Sequence, residues 1–519
     1  MSSNRLFDTV TAIVLILALG LTSALMYFGR QDEVAEVMSY SVEFPYESLF
    51  DQFQVLEIAI ELSDKDWEDM LSHPTTEEYK QCDVTVNGKV YTDAAIRTKG
   101  NTSLSQVASS DSDRYSFKIE FDHYDKNKSM DGLDKLILNN LFCDATYVKE
   151  YIAYDIFHYI GVETPYYAFA DIKVNGENFG CYLALEAVED SFIKRVYGGD
   201  GQLYKPESDR VEGGFGRNEA SMGRQDRENP MGEMKLPDRE NPTGEMELPD
   251  RENPPERMEF TQRNEMPERG KAGFDRFENG GGADLVYTDD DPDSYSDIFE
   301  NASFKISQKD KERVITALQK LNAGEELEKY IDVDACLRYF AAQTFIVNMD
   351  SYYSNLKHNY YLYENHGQLT ILPWDLNLAF GGFQTRDSTQ AVNSGIDTPM
   401  DGIEEERPLF SKLMEVEEYK ERYHGYLDEI ADGYVNAGDF EVVLSKIESV
   451  ITPYVEEDTT AFYSYQEFME AIKTLEAFVL LRAESVERQL NGNDALVDAS
   501  YVHLNAMGQQ DHEASVKRR

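Results

Sequence analysis

Positive charge is scarce in this chain: 49 Lys and Arg residues stand against 98 Asp and Glu residues, which gives a formal net charge of −49 over 519 residues. A surface this acidic repels nucleic-acid phosphates and anionic lipid headgroups. The sequence therefore predicts no nucleic-acid partner. Hydrophobic residues still make up 41% of the chain and aromatic residues 12%. That content can fill a packed core, and it argues against a wholly disordered protein.

Cysteine is also rare, and its four copies are Cys82, Cys143, Cys181 and Cys336. No two of them have the CxxC spacing that is typical of structural zinc sites, so the sequence argues against zinc. Two disulfides and four buried thiols both stay open at this point, because disulfides require an oxidising compartment.

Charge is absent from residues 10–28, a run long enough to span a bilayer as a helix. A cleaved secretory signal is the alternative, but its apolar core is usually about 7–15 residues and no clear A-x-A site follows here. We therefore predict a single-pass membrane anchor within residues 1–30 and a polar tether over 31–49. We expect the main domain to be extracytoplasmic. Arg5 precedes the run and Arg30 follows it, so positive charge leaves the orientation open.

The part of the chain after the tether has the pattern of a sheet. Strands are predicted at residues 55–62 and 114–122, where apolar and polar side chains alternate. Two hairpins are predicted at the turns Asn87-Gly88 and Asn175-Gly176. Residues 144–160 have apolar side chains at helical spacing, with Asp144 as the expected N-cap.

The composition changes at about residue 207 and changes back at about 282. Between them Gly, Pro, Glu, Arg and Met dominate, and the tetrapeptide Arg-Glu-Asn-Pro recurs at 227, 239 and 251. This step is shorter than the 20–50-residue units of solenoids, and the composition cannot bury a core. We predict a disordered insertion over residues 207–282 inside one domain of residues 50–490, with strand-like sequence resuming at 280–287.

The last part of the chain has helical patterns. Two helices are predicted within residues 307–349, a hairpin turns at Asn365-His366-Gly367, and helices follow from Pro408 to about Leu490. A polar tail over 491–519 is expected to be mobile. Together these patterns predict an α+β fold in which a sheet-rich part precedes a helical part.

Residues 349–382 contain a pattern that points to chemistry. Asp350 ends a predicted helix, Asn355 follows five residues later, and Asp375 ends the second strand of the hairpin. Phosphoryl transfer from a nucleotide needs a carboxylate near the attacking hydroxyl and oxygen ligands for magnesium. Protein kinases place an Asp, an Asn five residues on and a second Asp in this order. Helix caps and turns use the same residue types, so the spacing alone is a weak signal.

Three more residues fit a nucleotide site. Lys118 lies in the middle of a strand, on the face opposite Phe117, and could reach phosphate groups. Glu150, on the following predicted helix, could orient it through an ion pair. Gly100, in the segment IRTKGNTS, could offer backbone N–H groups to phosphate. Each residue taken alone is also consistent with an ordinary surface charge or turn.

Several segments go beyond spacing. IRTKGNTSL, YSFKIEFD, the segment from KLILNN to AYDIF, GENFGCYLALEAVEDSFIKR, the block from NMDSY to NYYLY, and LPWDLNLAFGG occur in this order. They resemble the successive motifs of the CotH family, the atypical spore-coat-type protein kinases, over roughly residues 50–385. The resemblance implies a two-lobed kinase-like fold with a sheet-rich N-lobe and a helical C-lobe. It also implies ATP and Mg²⁺ (or Mn²⁺) as cofactors and Ser or Thr of coat or envelope proteins as substrates.

The resemblance assigns roles to the acidic motif. Asp350 matches the catalytic aspartate, Asp375 matches the metal-binding aspartate, and Asn355 would help to hold the metal. Three departures from ordinary kinases stand out. No His-Arg precedes Asp350, Leu-Asn follows Asp375 in place of Phe-Gly, and the glycine-rich loop is absent.

The resemblance also assigns roles on the nucleotide side. Lys118 would contact phosphate, and either Glu150 or Glu186 would be its partner. Arg97 and Gly100, both in the RTKGN motif, would lie near the nucleotide.

Two other functions stay open. One is a surface-displayed binding or adhesion module without catalytic activity, because fungal members of the same family resemble host-cell invasins. The membrane anchor and the repeat-bearing insertion would suit such a module. The other is metal-dependent hydrolysis at the same carboxylates.

Overall fold

The computed structural model describes most of the chain in two stretches, residues 44–207 and 281–509, apart from Gln52, Arg386 and Asp401. The predicted anchor at residues 10–28 and nearly all of the predicted insertion lie outside the described residues. Among the helices of these two stretches, none is long and apolar enough to cross a membrane.

The first stretch contains a closed barrel of seven strands and four helices. The strands are β1 (Val55–Glu61), β2 (Lys80–Val86), β3 (Lys89–Lys99), β4 (Ser116–Glu120), β5 (Lys135–Asn139), β6 (Tyr167–Val174) and β7 (Glu177–Glu186). The helices are α1 (Asp64–Ser72), α2 (Thr102–Ala108), α3 (Lys149–Tyr159) and α4 (Asp190–Tyr197). The strand order around the barrel is β1-β2-β3-β4-β5-β7-β6, and β6 closes it by pairing in parallel with β1.

The two predicted Asn-Gly hairpins are confirmed. Asn87 and Gly88 join β2 to β3 with φ of 48° and 81°, and Asn175 and Gly176 join β6 to β7 with φ of 50° and 83°. Positive φ at both central residues is the backbone that two-residue hairpin loops require, and Asn followed by Gly adopts it most readily.

Helix α3 begins later than predicted. The sequence pattern placed its start at Asp144, but the helix runs from Lys149. The backbone has positive φ at Cys143 and Tyr147, which a helix cannot contain. Asp144 nevertheless supports the helix start, because its Oδ2 accepts a hydrogen bond from the backbone N–H of Lys149 at 3.0 Å.

The second stretch is mainly helical. A short strand that precedes residue 207, β8 (Gln202–Tyr204), joins β9 (Tyr360–Asn365) and β10 (Gln368–Pro373) in a sheet of order β10-β9-β8. The helices are α5 (Ser296–Phe299), α6 (Gln308–Ala323), α7 (Leu327–Tyr330), α8 (Val333–Phe345), α9 (Ser388–Val392), α10 (Pro408–Met414), α11 (Glu417–Asp428), α12 (Asp439–Glu457) and α13 (Tyr465–Leu490). A π-helical turn, Glu429–Asn436, follows α11 directly.

The chain leaves and re-enters the described structure at one place. The backbone N–H of Glu207 donates to the Asp297 carbonyl at 3.2 Å, and the N–H of Asp297 donates to the Gly281 carbonyl at 2.9 Å. The prediction of a strand at residues 280–287 is wrong, because residues 281–290 form turns and irregular backbone. Their polar backbone groups bond to side chains instead, as where Tyr360 Oη donates to the Ala283 carbonyl at 2.7 Å.

Two apolar cores stabilise the fold. One fills the barrel with inward-facing residues such as Ile96, Phe117 and Leu138. The other begins on the outer face of the barrel, at residues such as Leu183 and Leu185, and continues through α3 into the helical part. The structure is therefore α+β, as predicted, and the barrel and the helical part share a core.

The four cysteines are buried and unpaired. Burial raises the pKa of every one of these thiols, and for Cys82 and Cys336 it reaches about 12. Of the two alternatives left open by the sequence, the structure therefore shows four buried thiols.

Residues 491–509 do not behave as the expected mobile tail. Five of their apolar side chains are buried against the helical part: Val497, Ala499, Val502, Leu504 and Met507. The sequence pattern missed this because the apolar residues are spaced irregularly among polar ones.

Candidate functional site

Asp350 and Asp375 lie on loops that leave the same end of the β9–β10 hairpin. Tyr360, at the start of β9, pairs in register with Pro373, at the end of β10. Asp350 lies in the loop that leads into β9, and Asp375 lies two residues after β10. Both loops therefore emerge at one edge of the three-stranded sheet.

Backbone hydrogen bonds join the loop after Asp375 to the end of α8, just before the Asp350 loop. The N–H of Phe380 donates to the Ile346 carbonyl at 2.6 Å, and the N–H of Gly381 donates to the Val347 carbonyl at 3.2 Å. Because each loop is fixed to the other, the two acidic side chains are presented from one rigid unit.

A small apolar cluster lies beneath these loops. Leu378 and Phe383, after Asp375, pack with Cys143, and Met349, next to Asp350, packs against the same cluster. Packing and backbone hydrogen bonds thus act on the same two loops.

The carboxylate of Asp350 is held at both oxygens. His358 Nε2 lies 2.7 Å from Oδ1, and Asn359 Nδ2 donates to Oδ2 at 2.9 Å. Asn359 Nδ2 also donates to the Asp350 backbone carbonyl at 2.9 Å. These contacts fix the orientation of a side chain whose residue is only 8% exposed, and each oxygen keeps lone pairs that can accept a further hydrogen bond.

Asp375 and Lys99, both partly exposed, lie close to the buried Glu150. Lys99 is the last residue of β3, and Glu150 lies in the first turn of α3. Lys99 Nζ lies near the ring of Trp374, the residue before Asp375. Burial is the largest cause of the pKa shifts of Lys99 and Glu150, and the charge of Asp375 is the next, so the three groups interact electrostatically. The ends of two elements of the barrel part therefore meet the loop after β10.

Asn139, the last residue of β5, connects this cluster. Lys99 Nζ donates to Asn139 Oδ1 at 3.1 Å, and Asn139 Nδ2 donates to Glu150 Oε2 at 2.8 Å. Lys99 Nζ also lies 5.7 Å from the centre of the Trp374 ring. An amide side chain can relay position in this way because it has both a donor and an acceptor.

Burial and like charge determine the protonation of Glu150. Burial raises the pKa of Glu150 to about 8, and the charge of Asp375 adds to the shift, while Asn139 and Lys99 oppose it. Burial lowers the pKa of Lys99, and the charges of Asp375 and Glu150 offset part of that shift. Two carboxyl groups thus share one ammonium group in a poorly solvated place.

Among the residues that the structure describes, one carboxylate oxygen of this group lacks a hydrogen-bond partner. Glu150 Oε1 is buried and has no hydrogen-bond partner at good geometry among the described residues, although the backbone of Leu376 lies near this carboxyl group and favours its charge. Within residues 44–207 and 281–509, no three His, Cys, Asp or Glu residues come together as a metal site. Mg²⁺ needs few protein ligands, because it keeps several of its waters and usually binds only one or two carboxylates.

The backbone around this cluster is strained. Several residues of these segments have positive φ although they are not glycine, among them Leu141, Cys143, Tyr147, Val347, Asp375 and Phe380. Such conformations cost on the order of 1–3 kcal/mol each and concentrate at functional sites, where the surrounding structure holds them. For Val347, which is β-branched, positive φ is a genuine outlier.

Comparison with known proteins identifies the family of this chain. The sequence model of the family described as "CotH kinase protein" matches residues 96–486, well over half of the chain. The chain belongs to the CotH family. It is also similar to the inner spore coat protein H of Bacillus subtilis (strain 168), with 23% identity over 256 residues. That match covers 49% of this chain and 52% of the relative, so the chain spans about half the relative's length.

In this CotH chain, the ion pair expected between Lys118 and Glu150 is not formed. Lys118 Nζ pairs with Glu189, whose other oxygen contacts Lys135 Nζ at 2.9 Å. Lys118 lies in the middle of β4, whereas Glu150 lies beyond the strand ends. Lys99 and Asn139, which end β3 and β5, therefore reach Glu150 first.

Glu186, the other expected partner of Lys118, has a different set of contacts. Arg195 Nη2 lies 2.6 Å from its Oε2, and Tyr46 Oη donates to its Oε1 at 2.7 Å. The backbone N–H of Tyr166 donates to Oε2 at 3.1 Å. Glu186 thus forms an internal salt bridge, and its contacts with Lys118 expected from the sequence are absent.

Within the RTKGN motif, Lys99 belongs to the group with Glu150 and Asp375. Arg97 and Gly100 contact residues elsewhere, in their own neighbourhood. Arg97 pairs with Glu77 and lies 5.4 Å from the centre of the Tyr79 ring. Gly100 has φ of 120°, and a Cβ there would lie 2.8 Å from Ser103 Oγ. Glycine therefore allows β3 to turn sharply into α2 immediately after Lys99.

Asn355 is exposed in the loop between Asp350 and β9, and Asn359 is the amide that contacts Asp350. Spacing and motifs did not point to Lys99, Asn139, His358 or Asn359. One signal was present: Lys99 is two residues after Arg97 and so on the same strand face, next to the turn.

Proposed function

We propose that this CotH chain is an ATP- and Mg²⁺-dependent protein kinase that phosphorylates Ser or Thr residues of its substrates. In this proposal the barrel and the helical part are the two lobes of a kinase-like fold. The observation that carries the proposal is the group of Lys99, Glu150 and Asp375, whose Asp375 loop is hydrogen-bonded to the end of α8 just before the Asp350 loop.

Lys99 is the residue proposed to bind phosphate. The other cationic residues on the same strand faces are already paired with carboxylates: Arg97 with Glu77, and both Lys118 and Lys135 with Glu189. Lys99 has no salt bridge with a described residue and is held by the Asn139 amide. Its ammonium group is therefore free to take a phosphate oxygen as an additional partner.

Glu150 is proposed to position Lys99. It reaches the lysine through Asn139, and it lies in the first turn of α3, which is packed in the core shared by the barrel and the helical part. Electrostatic attraction between Glu150 and Lys99 opposes the loss of charge that burial favours on each of them. Burial still lowers the pKa of Lys99 overall, and the negative charge of a bound triphosphate would favour the charged lysine.

Asp350 is proposed to accept the proton of the attacking hydroxyl. Its two oxygens are fixed by donors, so the carboxylate needs little reorganisation when the substrate arrives. A base that is oriented in advance in this way is typical of phosphoryl-transfer sites.

Asp375 is proposed to bind the metal, with Asn359 in the place that the sequence analysis gave to Asn355. Asn359 Nδ2 is used by Asp350, which leaves the amide oxygen for a cation. When bound, Mg²⁺ would neutralise charge on the nucleotide phosphates. The unsatisfied Glu150 Oε1 and the like charge of Asp375 support a cation in this place.

The proposed substrates are proteins of a spore coat or cell envelope. The support is the family and the similarity to the inner spore coat protein H of Bacillus subtilis. The membrane anchor within residues 1–30 and an extracytoplasmic position of the domain are part of the same proposal.

The test is transfer of labelled phosphate from ATP by the full chain in Mg²⁺ or Mn²⁺. Lys99→Met should reduce transfer by at least about 100-fold, because it removes a charge-assisted contact to phosphate in a buried place. Lys118→Met is the matched control, since Lys118 lies on the neighbouring strand and is neutralised by Glu189. Asp375→Asn should also abolish transfer, whereas the exposed Asp494→Asn should not.

The outcomes separate the open functions. Equal activity of Lys99→Met and the wild type would show that the phosphate-binding role is misassigned. Phosphate release without a phosphoprotein would favour hydrolysis. A folded wild-type chain that neither binds ATP nor transfers phosphate would favour the non-catalytic binding module.

A further inference from the structure

The last described residues lie outside the part of the chain that matches the family, which ends at residue 486. They are nonetheless part of the packed structure. Leu504 and Met507 are buried, at 4% and 1% exposure, in the core that the barrel and helical part share. We call residues 505–509 the C-terminal clasp, because their polar groups contact both the segment that leads into α3 and the loop that follows Asp375.

One side of the clasp contacts the segment that leads into α3. The Met507 carbonyl accepts a hydrogen bond from the Ala145 N–H at 3.0 Å. The Gly508 carbonyl accepts one from Lys149 Nζ at 2.9 Å, and the same Nζ donates to the Cys143 carbonyl at 2.7 Å. Lys149 is fully buried and directly precedes Glu150 in the sequence. The clasp therefore holds the first residue of the helix that carries Glu150.

The other side of the clasp contacts the loop that follows Asp375. Gln509 Nε2 donates to the Gly381 carbonyl at 2.8 Å and to the Thr385 carbonyl at 2.8 Å. Gly381 is the same residue whose N–H bonds to Val347, at the end of α8. A single side chain of the clasp thus contacts the loop that fixes Asp375 relative to Asp350.

We infer that the C-terminal clasp is a positioning element of the phosphotransfer site, which holds the Glu150 helix and the Asp375 loop at a fixed separation. The inference rests on the proposed function, because it concerns the same cluster. It assigns no chemical step to the clasp. Residues 505–509 act through Lys149 and Gly381, and loss of the clasp should weaken nucleotide binding while the fold persists.

Gly508 is the residue at which the clasp can be broken. Its φ is 80°, and a Cβ there would lie 2.6 Å from the Cys143 carbonyl oxygen and 2.9 Å from Tyr463 Oη. The first contact is with backbone, so a side chain at this position must push the clasp away. Gly492 is the matched glycine, because its φ is 67° and a Cβ there meets nothing within 4 Å.

The experiment compares Gly508→Ala, Gln509→Ala and the control Gly492→Ala in the full chain. The background is Trp67→Phe, which leaves Trp374, the neighbour of Asp375, as the one tryptophan of the two in the sequence. Trp374 fluorescence reports Mg²⁺–ATP binding, and hydrogen exchange reports the Phe380 and Gly381 amides. Circular dichroism checks the fold.

Gln509→Ala should raise the dissociation constant for Mg²⁺–ATP about 10-fold, because two hydrogen bonds are lost and the Asp375 loop is freed. Gly508→Ala should raise it at least as much. Both should speed exchange at Phe380 and Gly381, and Gly492→Ala should change neither quantity.

Faster exchange with unchanged affinity in both variants would overturn the inference and leave the proposed function intact, since the clasp would then be structural only. Unchanged exchange together with unchanged affinity would overturn it as well. A wild type that binds no nucleotide would overturn the proposed function, and this inference with it.

Discussion

Asp350 Oδ1 and His358 Nε2 lie 2.7 Å apart, so the side chain proposed as the proton acceptor is held by an imidazole from its own loop. The eight-residue separation makes the pair local: it forms when the segment before β9 closes on itself. His358 is 20% exposed at its side chain, against 11% for Asp350. The contact thus orients the carboxylate from the solvent side.

Replacement of His358 by Ala should reduce phosphate transfer without abolishing it. A hydrogen bond to a charged group contributes roughly 1.5–3 kcal/mol, which corresponds to about a 10- to 100-fold loss in kcat. The KM for ATP should stay nearly constant, since His358 contacts Asp350 and is not one of the residues proposed to bind the nucleotide. Steady-state kinetics with His358→Gln, which keeps a donor, should show partial rescue. A loss confined to KM would contradict this role.

The parts of the fold that depend on neighbouring residues could be predicted from the sequence. Asn-Gly pairs at 87–88 and 175–176 require positive φ at both positions, and both hairpins form there. Ser63 accepts a hydrogen bond from the Asp66 N–H at the start of α1, which is the local contact that a serine N-cap makes. These features are decided within a few residues, so their sequence signals are direct.

The contacts of the candidate site were harder to predict because they join distant segments. Lys118 and Lys99 lie on the same face of neighbouring strands, and their strand periodicity is identical. The two lysines differ in their position along the strand. Lys99 is the last residue of β3, and it lies beside Asn139, which in turn contacts the first turn of α3. The pairing of β3 and β5 with β4 brings these ends together beside α3, and no local pattern contains that information. The clasp at residues 505–509 was missed for the same reason.

Asn359→Ala should raise the Mg²⁺ concentration needed for half-maximal transfer, and Asn355→Ala should not. Asn359 donates to both the side chain and the backbone of Asp350 at 2.9 Å, whereas Asn355 is exposed. We expect an increase of about 10-fold or more, as is usual when a ligand or its neighbour is removed from a metal site. Activity measured across a Mg²⁺ series gives the answer. An effect of Asn355→Ala alone would restore the assignment made from sequence spacing.

Arg114→Met should destabilise the protein strongly. The Arg114 and Asp458 side chains are 1% and 0% exposed, and Nη1 lies 2.8 Å from Oδ2. The pair joins the segment before β4 to the end of α12, so it connects the barrel to the helical part. Removal of one partner leaves a buried, uncompensated charge, which costs about 3–5 kcal/mol.

The double variant Arg114→Met/Asp458→Leu tests that explanation. If the cost arises from the orphaned charge, the double variant should be more stable than either single variant would suggest by addition. Urea unfolding followed by tryptophan fluorescence gives the comparison. Simple additivity would show that lost packing, and not the unpaired charge, explains the destabilisation.

Asp334 should make stability depend on pH in the acidic range. It lies in the first turn of α8 and contacts Arg338 at 2.9 Å, as well as Arg422 and Tyr426 of α11. Burial by itself raises the pKa of Asp334, but hydrogen bonds from Tyr426, Arg338 and Arg422 outweigh it and lower the pKa from 3.8 to about 2.

Because this pKa is lowered on folding, the ionised carboxylate stabilises the folded state above pH of about 4, and its contribution disappears as the pH falls to about 2. Asp334→Asn should therefore be less stable than the wild type at pH 7, and the difference should shrink over that window. The Asp334 side chain is 44% exposed, so solvent screening keeps the difference to about 1 kcal/mol or less. Urea midpoints at pH 7, 4 and 3 measure it, with the exposed Asp428→Asn on α11 as the control. A difference between Asp334→Asn and the wild type that stays constant with pH would mean that the arginine contacts contribute nothing through charge.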